Sequence, residues 1–244
     1  MKFKSVKSRY EEFLKNIKSY FENEKKSIHK ARNEIKIINF ESEDLVVKSF
    51  KIPNPINKIV YTFFKDSKAK KSYENSIEIM DFAPKAIGYI EFKKFGLLDN
   101  SYFVSEAFKY DFSIREPLLD DDFMDRKAIF AAFAKFTFDL HEKGILHLDY
   151  SPGNILVKKE EDSYTFKIVD INRMEFKTLS QDERVKNFAK LWAKDEDLKL
   201  IVKEYCKFAK YDEESCADLA LKCSQNHKDR KNAKKRLKGK RVVD

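Results

Sequence analysis

A polar loop between a helix and an apolar strand constrains the fold of this chain most. The loop reads HLDYSPGN and spans residues 147–154. Upstream, four apolar residues share one face of a predicted helix: Ile129, Phe133, Phe136 and Leu140. Gly144 provides a helix stop, and the apolar run ILV begins directly after Asn154. The loop is therefore anchored at both ends, as a rigid catalytic loop requires.

A carboxylate follows this loop at the distance that a hairpin would need. Asp170 ends the apolar run FKIV, sixteen residues beyond Asn154, so a hairpin of ordinary length returns it beside the loop. Taken singly, an HxD triplet or an acidic residue at a strand end is a weak signal. Together, Asp149, Asn154 and Asp170 offer a carboxylate to orient an attacking hydroxyl and two oxygen ligands that can meet at one Mg²⁺. These are needs of phosphoryl transfer.

The first hundred residues predict a small β-sheet that carries one main helix. The runs at 34–40 and 44–50 flank the polar connection ESE, which indicates an antiparallel hairpin. After the proline-containing segment IPNPIN, residues 66–82 are predicted to form a helix with Asp66 or Ser67 as its N-cap. Strands follow at AIGYIEF and SYFVSEAF, with LLDN as the predicted turn between them.

Beyond Lys109 the pattern becomes mainly helical, apart from the strands ILVKK and YTFKIVDI around the turn EEDS. This order predicts an α+β chain with a β-rich N-terminal lobe and a mainly helical C-terminal lobe. We place the domains in four ranges: residues 1–104 as the N-lobe, 105–110 as a hinge, 111–223 as the C-lobe and 224–244 as a basic tail.

Composition bounds the class of protein. A hydrophobic content of 42% over 244 residues is enough for a real core, and there is no run of about 20 apolar residues. The segment MKFKSVKSRYEEF has charges where a signal peptide needs apolar residues, which predicts a cytoplasmic protein. Cys206, Cys216 and Cys223 lack CxxC spacing, so we expect reduced, buried or half-buried thiols.

Positive charge is concentrated near the C-terminus. Residues 222–241 hold ten Lys or Arg against the single Asp229, a local net charge of +9 that equals the net charge of the whole chain. The other residues are therefore neutral in sum. Two interpretations stay open, a solvated tail and a tail that touches an anionic surface. Nucleic-acid binding is not expected, because the body of the chain lacks an interleaved basic and aromatic face.

The loop and the segment DIN (170–172) resemble the HRDxxxxN loop and DFG segment of the protein-kinase-like superfamily. The resemblance implies a two-lobed kinase fold with ATP as phosphoryl donor. It makes Asp149 the base, Asn154 and Asp170 the Mg²⁺ ligands, and His147 a residue that braces the loop. Ser151 stands where protein kinases usually have Lys, Asn172 replaces the glycine, and no APE segment follows. Recognition of a peptide substrate is therefore in doubt.

The resemblance also requires a strand lysine that contacts the phosphates, and VVKSF offers Lys48. A lysine among apolar strand residues is costly to bury without an anionic partner, which favours a functional role. The expected partner is Glu74 on the following helix, with Glu78 one turn later as the alternative.

Two further nucleotide contacts are expected from the same resemblance. The segment that should cover the phosphates reads IHKARN and has no glycine, so Arg32 or Lys30 can contact the phosphates with a side chain instead. Glu106, beside the predicted hinge, is the expected contact to the rest of the nucleotide.

Over its whole length the chain is similar to the bacterial lipopolysaccharide kinases, the Kdo kinases and core heptose kinases. The segments that carry this similarity are ARNEIKI, VVKSFK, FKDSKAKKSYENS, YDFSIRE, LHLDYSPGNIL and VDINRM. The resemblance implies ATP- and Mg²⁺-dependent phosphorylation of a Kdo or heptose hydroxyl on a lipid-linked oligosaccharide, at the inner face of the inner membrane. Lys and Arg of the tail would then attract an anionic bilayer at about 1 kcal/mol each.

Two alternatives stay open at this point. The SPGN loop suits a kinase of protein or small soluble substrates equally well. A nucleotide-binding pseudokinase or scaffold is the other alternative, because the phosphate-covering segment lacks glycine. The presence of both expected metal ligands and of the expected base argues against it.

Overall fold

The computed structural model describes residues 1–239, which form two compact units. The first unit holds Met1–Lys109 together with the short segment Asp170–Asn172. The second unit holds Tyr110–Val169 and the chain from Arg173 onward. The first unit is mainly a β-sheet with helices, and the second is mainly helical, as the sequence predicts.

The first unit contains one antiparallel six-stranded sheet in the order β1-β5-β6-β4-β3-β2. Its strands are β1 (Lys2–Ser5), β2 (Ser27–Lys30), β3 (Glu34–Phe40), β4 (Glu43–Phe50), β5 (Ala86–Lys94) and β6 (Leu97–Glu106). The predicted β3–β4 hairpin is present, and Glu41 and Ser42 make its turn with φ of 49° and 66°. Two successive left-handed residues give a turn whose twist matches the flanking strands.

The β5–β6 turn lies earlier than the sequence predicts. The chain turns at Phe95 and Gly96, with φ of 51° and 77°, and the segment LLDN is already part of β6. Gly96 takes a left-handed conformation at no steric cost, which permits a two-residue hairpin turn here. In the resulting register Leu98 pairs with Lys93 and is buried.

Four helices accompany this sheet: α1 (Tyr10–Lys15), α2 (Ile17–Asn23), α3 (Pro55–Phe63) and α4 (Lys68–Glu78). The first two cover one face, where Phe13 and Ile17 pack with sheet residues such as Val47 in a buried cluster. The α4 helix begins as predicted, with Ser67 Oγ accepting from Lys70 N at 3.1 Å, and it ends before residue 82.

Helix α3 was not predicted from the sequence, because the segment IPNPIN is typical of a break between elements. In the structure Pro55 takes the first helical position, where its missing N–H costs nothing. Asn54 caps the helix, since its Oδ1 accepts from Asn57 N at 2.8 Å.

The second unit contains five helices, five strands and two short 3₁₀ segments among its described residues. They are β7 (Phe112–Ser113), α5 (Arg115–Leu119), α6 (Arg126–Glu142), β8 (Ile145–His147), the 3₁₀ segment Pro152–Asn154, β9 (Ile155–Lys159), β10 (Tyr164–Ile168), β11 (Met174–Phe176), α7 (Gln181–Asn187), the 3₁₀ segment Phe188–Leu191, α8 (Asp195–Ala209) and α9 (Glu213–Arg236). The stripe predicted on α6 is mostly buried, and Gly144 follows the helix with φ of 69°.

Helix α9 continues through Ser224, the predicted start of a basic tail, and ends at Arg236. It packs against α7, α8 and the 3₁₀ segment Phe188–Leu191. The last part of the expected tail, residues 240–244, lies outside the described residues. The cysteines are free thiols, buried or partly buried as predicted. No helix within residues 1–239 is long and apolar enough to cross a membrane.

Candidate active site

His147 braces the start of the polar loop within the second unit. Its side chain is fully buried, and β8 pairs with β11 so that His147 lies opposite Met174. Its Nδ1 accepts from Asp149 N at 3.0 Å, and its Nε2 lies 3.1 Å from Val169 O. One neutral tautomer, with the proton on Nε2, satisfies both contacts. The imidazole thus fixes the backbone on which Asp149 is carried.

Asn154 closes the loop from its other end. Its Nδ2 donates to Asp149 O at 2.9 Å, and its backbone N donates to Ser151 O at 2.9 Å. The β9–β10 hairpin returns Val169 to the loop, because Val169 N donates to Asn154 O at 2.9 Å. With the NH₂ group engaged, Oδ1 is the atom of this amide available to a hard cation.

The Asp149 carboxylate is left accessible while its backbone is held. The side chain is 47% exposed, and its nearest cation is Arg173, whose Nη1 lies 3.9 Å from Oδ2. The next residue, Tyr150, is fully buried, and its hydroxyl lies 2.8 Å from Thr137 Oγ1 of α6. Burial raises the pKa of this phenol, so it stays protonated and keeps the hydrogen bond to the helix.

An arginine side chain packs directly onto Gly153. A Cβ at this position would lie 2.9 Å from Arg115 Cζ and still closer to a guanidinium nitrogen. Arg115 starts α5 and belongs to the segment YDFSIRE, which the sequence analysis used only as a mark of similarity. The loop therefore has a cationic neighbour that sequence reasoning missed.

In the first unit, Lys48 and Asp170 form an ion pair. Lys48 Nζ donates to Asp170 Oδ1 at 2.7 Å, and the lysine is 9% exposed. Asn172 Nδ2 donates to the same oxygen. Asp170 has a φ of 57°, a left-handed conformation that non-glycine residues adopt rarely and at some cost. Such an outlier at a partly buried ion pair points to a functional constraint.

Glu74, the expected partner of Lys48, lies elsewhere. Its side chain is 49% exposed, and its carboxylate is 3.5 Å from Lys70 Nζ. Glu78 is exposed as well. The neighbouring Asn75 contacts the acidic segment instead, because its Nδ2 donates to Ile171 O at 2.6 Å. One step along a helix rotates a side chain by about 100°, so the two neighbours cannot share a direction.

The other expected nucleotide contacts lie on the edge and end of this sheet. Arg32 is exposed in the connection between β2 and β3, and Lys30 Nζ lies 3.7 Å from Glu34. Glu106 is the last residue of β6, and its backbone N donates to Lys85 O at 2.9 Å. Binding of a nucleotide by these residues stays a prediction.

The oxygen donors of Asn154 and Asp170, each taken by itself, suit Mg²⁺ better than a transition metal. Within residues 1–239 no three His, Cys, Asp or Glu side chains are grouped as metal ligands. Mg²⁺ is commonly held by one or two protein oxygens together with waters and substrate phosphates. The carboxylate of Asp170 and the amide oxygen of Asn154 are each ligands of that kind, and their joint binding of one Mg²⁺ stays a prediction.

Lys190 is a second functional candidate that the sequence did not reveal. It lies in the 3₁₀ segment after α7, and its Nζ donates to Leu148 O at 2.8 Å, one residue before Asp149. Burial lowers its pKa, and the negative charge of Asp149 opposes that shift. The loop lacks the usual lysine at Ser151, and Lys190 brings a positive charge to it from a different element.

Helix α9 is attached to the same segment. Trp192 contacts His227 with ring centroids 5.9 Å apart, and Lys235 Nζ lies 5.6 Å from the indole. Lys228 Nζ donates to Ala193 O at 3.0 Å. The basic C-terminal region therefore packs against the segment that follows Lys190.

Comparison with known families identifies the protein family of this chain. The family described as lipopolysaccharide kinase (Kdo/WaaP) matches residues 82–211, which include the loop, Arg115, Asp170 and Lys190. The chain belongs to the lipopolysaccharide kinase (Kdo/WaaP) family. It is thus a kinase, and the predicted family is confirmed.

A solved structure of WaaP in complex with acyl carrier protein is similar to this chain. The TM-score is 0.60 at 13% sequence identity, and the match covers 93% of this chain and 98% of the other. At this identity the likeness shows the fold alone, and it confirms the predicted protein-kinase-like fold. No curated protein matches the chain.

Proposed function

We propose that this kinase transfers the γ-phosphoryl group of ATP to a Kdo or heptose hydroxyl of the lipopolysaccharide inner core. Family membership supports a kinase of lipopolysaccharide. In this proposal Asp149 accepts the proton of the attacking hydroxyl, Lys48 contacts the phosphates, and Asn154 with Asp170 binds Mg²⁺. The ion would neutralise charge on the phosphates as the phosphoryl group leaves.

The closed geometry of the loop is the observation that carries the proposal. The backbone N and O of Asp149 are bonded to His147 and Asn154, while its carboxylate is 47% exposed. A general base must be accessible to its substrate and yet fixed in direction. A loop built only for stability would not need an accessible carboxylate held by two buried or half-buried side chains.

On the nucleotide side, the position of Lys48 supports a contact with a phosphate. It is nearly buried and pairs with Asp170, so its charge is kept in a poorly solvated place. A cation held there interacts with a phosphate more strongly than it would in water. Arg32 and Glu106 are proposed as further nucleotide contacts, and Asn75 takes the place of Glu74 in holding the segment 170–172.

On the acceptor side, we propose that cations beside Asp149 bind an acidic group of the sugar. Arg173 lies 3.9 Å from the Asp149 carboxylate, and Lys190 is bonded to the preceding residue. Burial is the largest cause of the lowered pKa values of His227 and Lys190. The positive charge of Lys231 on α9 lowers both pKa values further. These positive groups suit an acceptor with a carboxylate or phosphate close to the reacting hydroxyl.

We further propose peripheral attachment at the inner face of the inner membrane, with exposed cations late in α9 facing anionic lipid. Lys234 and Arg236 are exposed, and Lys238 follows the helix. Such residues attract an anionic bilayer at about 1 kcal/mol each at low salt.

The experiment is mass spectrometry of core oligosaccharide from cells with and without the gene. Loss of one phosphate, restored by the wild-type gene and not by Asp149→Asn, is the expected result. Purified protein with ATP and Mg²⁺ should phosphorylate glycolipid in preference to soluble hydroxyl compounds. Unchanged oligosaccharide mass together with turnover on a soluble compound would refute the proposal.

A further inference from the structure

Helix α3 is attached to the first unit by its polar side. Lys58 Nζ lies 2.7 Å from Asp99 Oδ1, and Thr62 Oγ1 accepts from Leu98 N at 2.9 Å. Lys58 and Thr62 are four positions apart, so they lie on one face of the helix. That face is turned toward β6. In a surface helix the apolar face usually takes this position.

The apolar side of α3 is therefore exposed to solvent. Ile56, Ile59 and Phe63 follow helical spacing on one stripe, and they are 75%, 47% and 68% exposed. Phe64 at the end of the helix is 77% exposed. Single exposed apolar residues are ordinary, but a contiguous set on one helix face marks an interaction surface.

A second apolar group lies at the tip of the β5–β6 hairpin. Phe95 is 92% exposed in the tight turn, directly after Lys93 and Lys94. This hairpin adjoins α3, because Leu98 pairs with Lys93 and is also bonded to Thr62. Lys93 and Phe63 line the same shallow depression.

The charge around these groups is positive. Lys2, Lys65 and Lys93 line the depression beside Phe63 and Phe64. Among the described residues that line it, two are carboxylates. Asp66 is bonded to Lys70 at 2.5 Å, and Glu91 is 7% exposed. The accessible charges beside the aromatic rings are therefore mostly lysines.

We propose that this surface inserts into the headgroup region of an anionic lipid bilayer. The insertion face consists of Ile56, Ile59, Phe63, Phe64 and Phe95, with Lys65, Lys93 and Lys94 around them. Apolar side chains and lysines on one face are the composition of an interfacial helix. A helix of nine residues is only about 14 Å long, so it lies on a bilayer and does not cross it.

Charge favours lipid over a second copy of the chain. A two-fold symmetric dimer on the insertion face would bring two copies of the same positively charged surface together. An uncharged apolar partner would leave them without counter-charges. Anionic lipid satisfies both the rings and the ammonium groups. The inference deepens the membrane attachment proposed above by naming an apolar surface for it. It depends on the first unit alone and needs no turnover, so it can fail while the proposed kinase activity stands.

The test is cosedimentation of the full chain with vesicles of phosphatidylcholine alone or mixed with phosphatidylglycerol. The variant Phe63→Ser/Phe64→Ser/Phe95→Ser removes the rings. Its matched control, Met80→Ser/Leu119→Ser/Met124→Ser, removes three exposed apolar residues of other surfaces, which are 62%, 74% and 74% exposed. Melting temperatures of both variants should stay near that of the wild type, because none of these side chains is buried.

We expect the ring variant to bind mixed vesicles at least about tenfold more weakly than the wild type, and the control to bind normally. The difference should persist in 1 M salt, where the Debye length is about 3 Å and the attraction of lysines is screened. Lys65→Gln/Lys93→Gln/Lys94→Gln should instead lose the preference for phosphatidylglycerol at low salt.

Three results would overturn the inference. One is wild-type binding that vanishes completely in high salt, since the rings would then contribute nothing. Another is equal loss of binding by the ring variant and the control. The third is binding of a soluble acidic protein such as acyl carrier protein, or self-association of the chain, that requires the rings while vesicles do not bind.

Discussion

Lys48 donates to Asp170 at 2.7 Å, and Glu74, whose position on α4 suggested the partner, lies 3.5 Å from Lys70 instead. The acidic segment is held to α4 by Asn75, which donates to Ile171 O at 2.6 Å. A neutral amide thus positions the segment, and the lysine pairs with the proposed metal ligand itself. A helix glutamate was expected to pair with Lys48. In its place, Asp170 pairs with Lys48, and Asn75 connects the helix to the acidic segment.

This division predicts opposite outcomes for adjacent residues of α4. Asn75→Ala should lower kcat by about tenfold, because it frees the backbone that carries Asp170. Glu74→Gln should stay within about twofold of the wild type, since the side chain is half exposed and its ion pair with Lys70 is weak. Steady-state kinetics with ATP in excess would show this, with Lys48→Met as the inactive reference. A Glu74→Gln loss as large as that of Lys48→Met would restore the sequence-based pairing.

Asp149→Asn should remove turnover by a factor of at least about 100 without affecting folding, because the loop is held through the backbone of Asp149. Its carboxylate lies 3.9 Å from Arg173. Asp139→Asn, a carboxylate of similar exposure on α6, serves as the control. Single-turnover assays and thermal melting would test both statements. Near-wild-type turnover would exclude Asp149 as the base.

Gly153→Ala should be coupled to Arg115, because the added methyl group occupies space that the guanidinium now fills. We expect the single substitution to lower activity by about tenfold through displacement of the arginine or of the loop. In the double variant with Arg115→Ala, the second change should cost much less than it does alone. Additive losses in this cycle would mean that the two residues act separately.

The loop and its hairpin could be predicted because their signals are local. The helix stop at Gly144, the run ILV and the spacing from Asn154 to Asp170 all depend on residues near in sequence. The β3–β4 hairpin and the cap at Ser67 are of the same kind. Such features are set by turn chemistry and periodicity, which a single sequence displays.

The features that could not be predicted depend on packing between distant segments. α3 has its polar side on the sheet, so its periodicity gives no sign of a buried stripe. The contact of Lys190 with Leu148 joins residues 42 positions apart, and that of Asn75 with Ile171 joins residues 96 apart. Charge counting described the C-terminal region as a tail, although α9 continues to Arg236 and its side chains Ser224 and Asn232 are buried.

The buried side chain of His141 should make the free energy of unfolding depend on pH. It is fully buried beside Tyr205 and Asn187, and burial lowers its pKa from 6.5 to about 4. Between these pH values the unfolded chain therefore binds one more proton than the folded chain. The free energy of unfolding falls as the pH drops from about 6.5 to about 4, and below that range the stability that neutral His141 contributes is gone. The full loss is about 3 kcal/mol at 1.36 kcal/mol per pKa unit.

Urea unfolding at pH 7.5, 6 and 5 would measure this dependence. His141→Gln should lower stability at neutral pH but flatten the slope between pH 6.5 and 5, because the titrating group is gone. His29→Gln, at an exposed position on β2, is the control and should retain the wild-type slope. Equal slopes for the wild type and His141→Gln would mean that other groups cause the acid sensitivity.

The last prediction separates two roles of the basic C-terminal region. A deletion after Ser224 would not do so, because it removes the bond from Lys228 to Ala193 and both side chains on the Trp192 ring. A deletion after Arg236 keeps α9 intact and removes the final cations of the chain.

If α9 serves the acceptor directly, Lys190→Gln and Lys231→Gln should raise KM for an acidic acceptor several-fold, even for a soluble sugar fragment without lipid. Lys186→Gln, whose ammonium lies 3.0 Å from Asp182, is the control and should change little. The deletion after Arg236 should instead weaken vesicle binding at low salt and leave KM for the soluble fragment unchanged, because those cations act on the bilayer alone. If the deletion and the lysine variants raise KM for the soluble fragment equally, the charge of α9 acts as one field and the division fails.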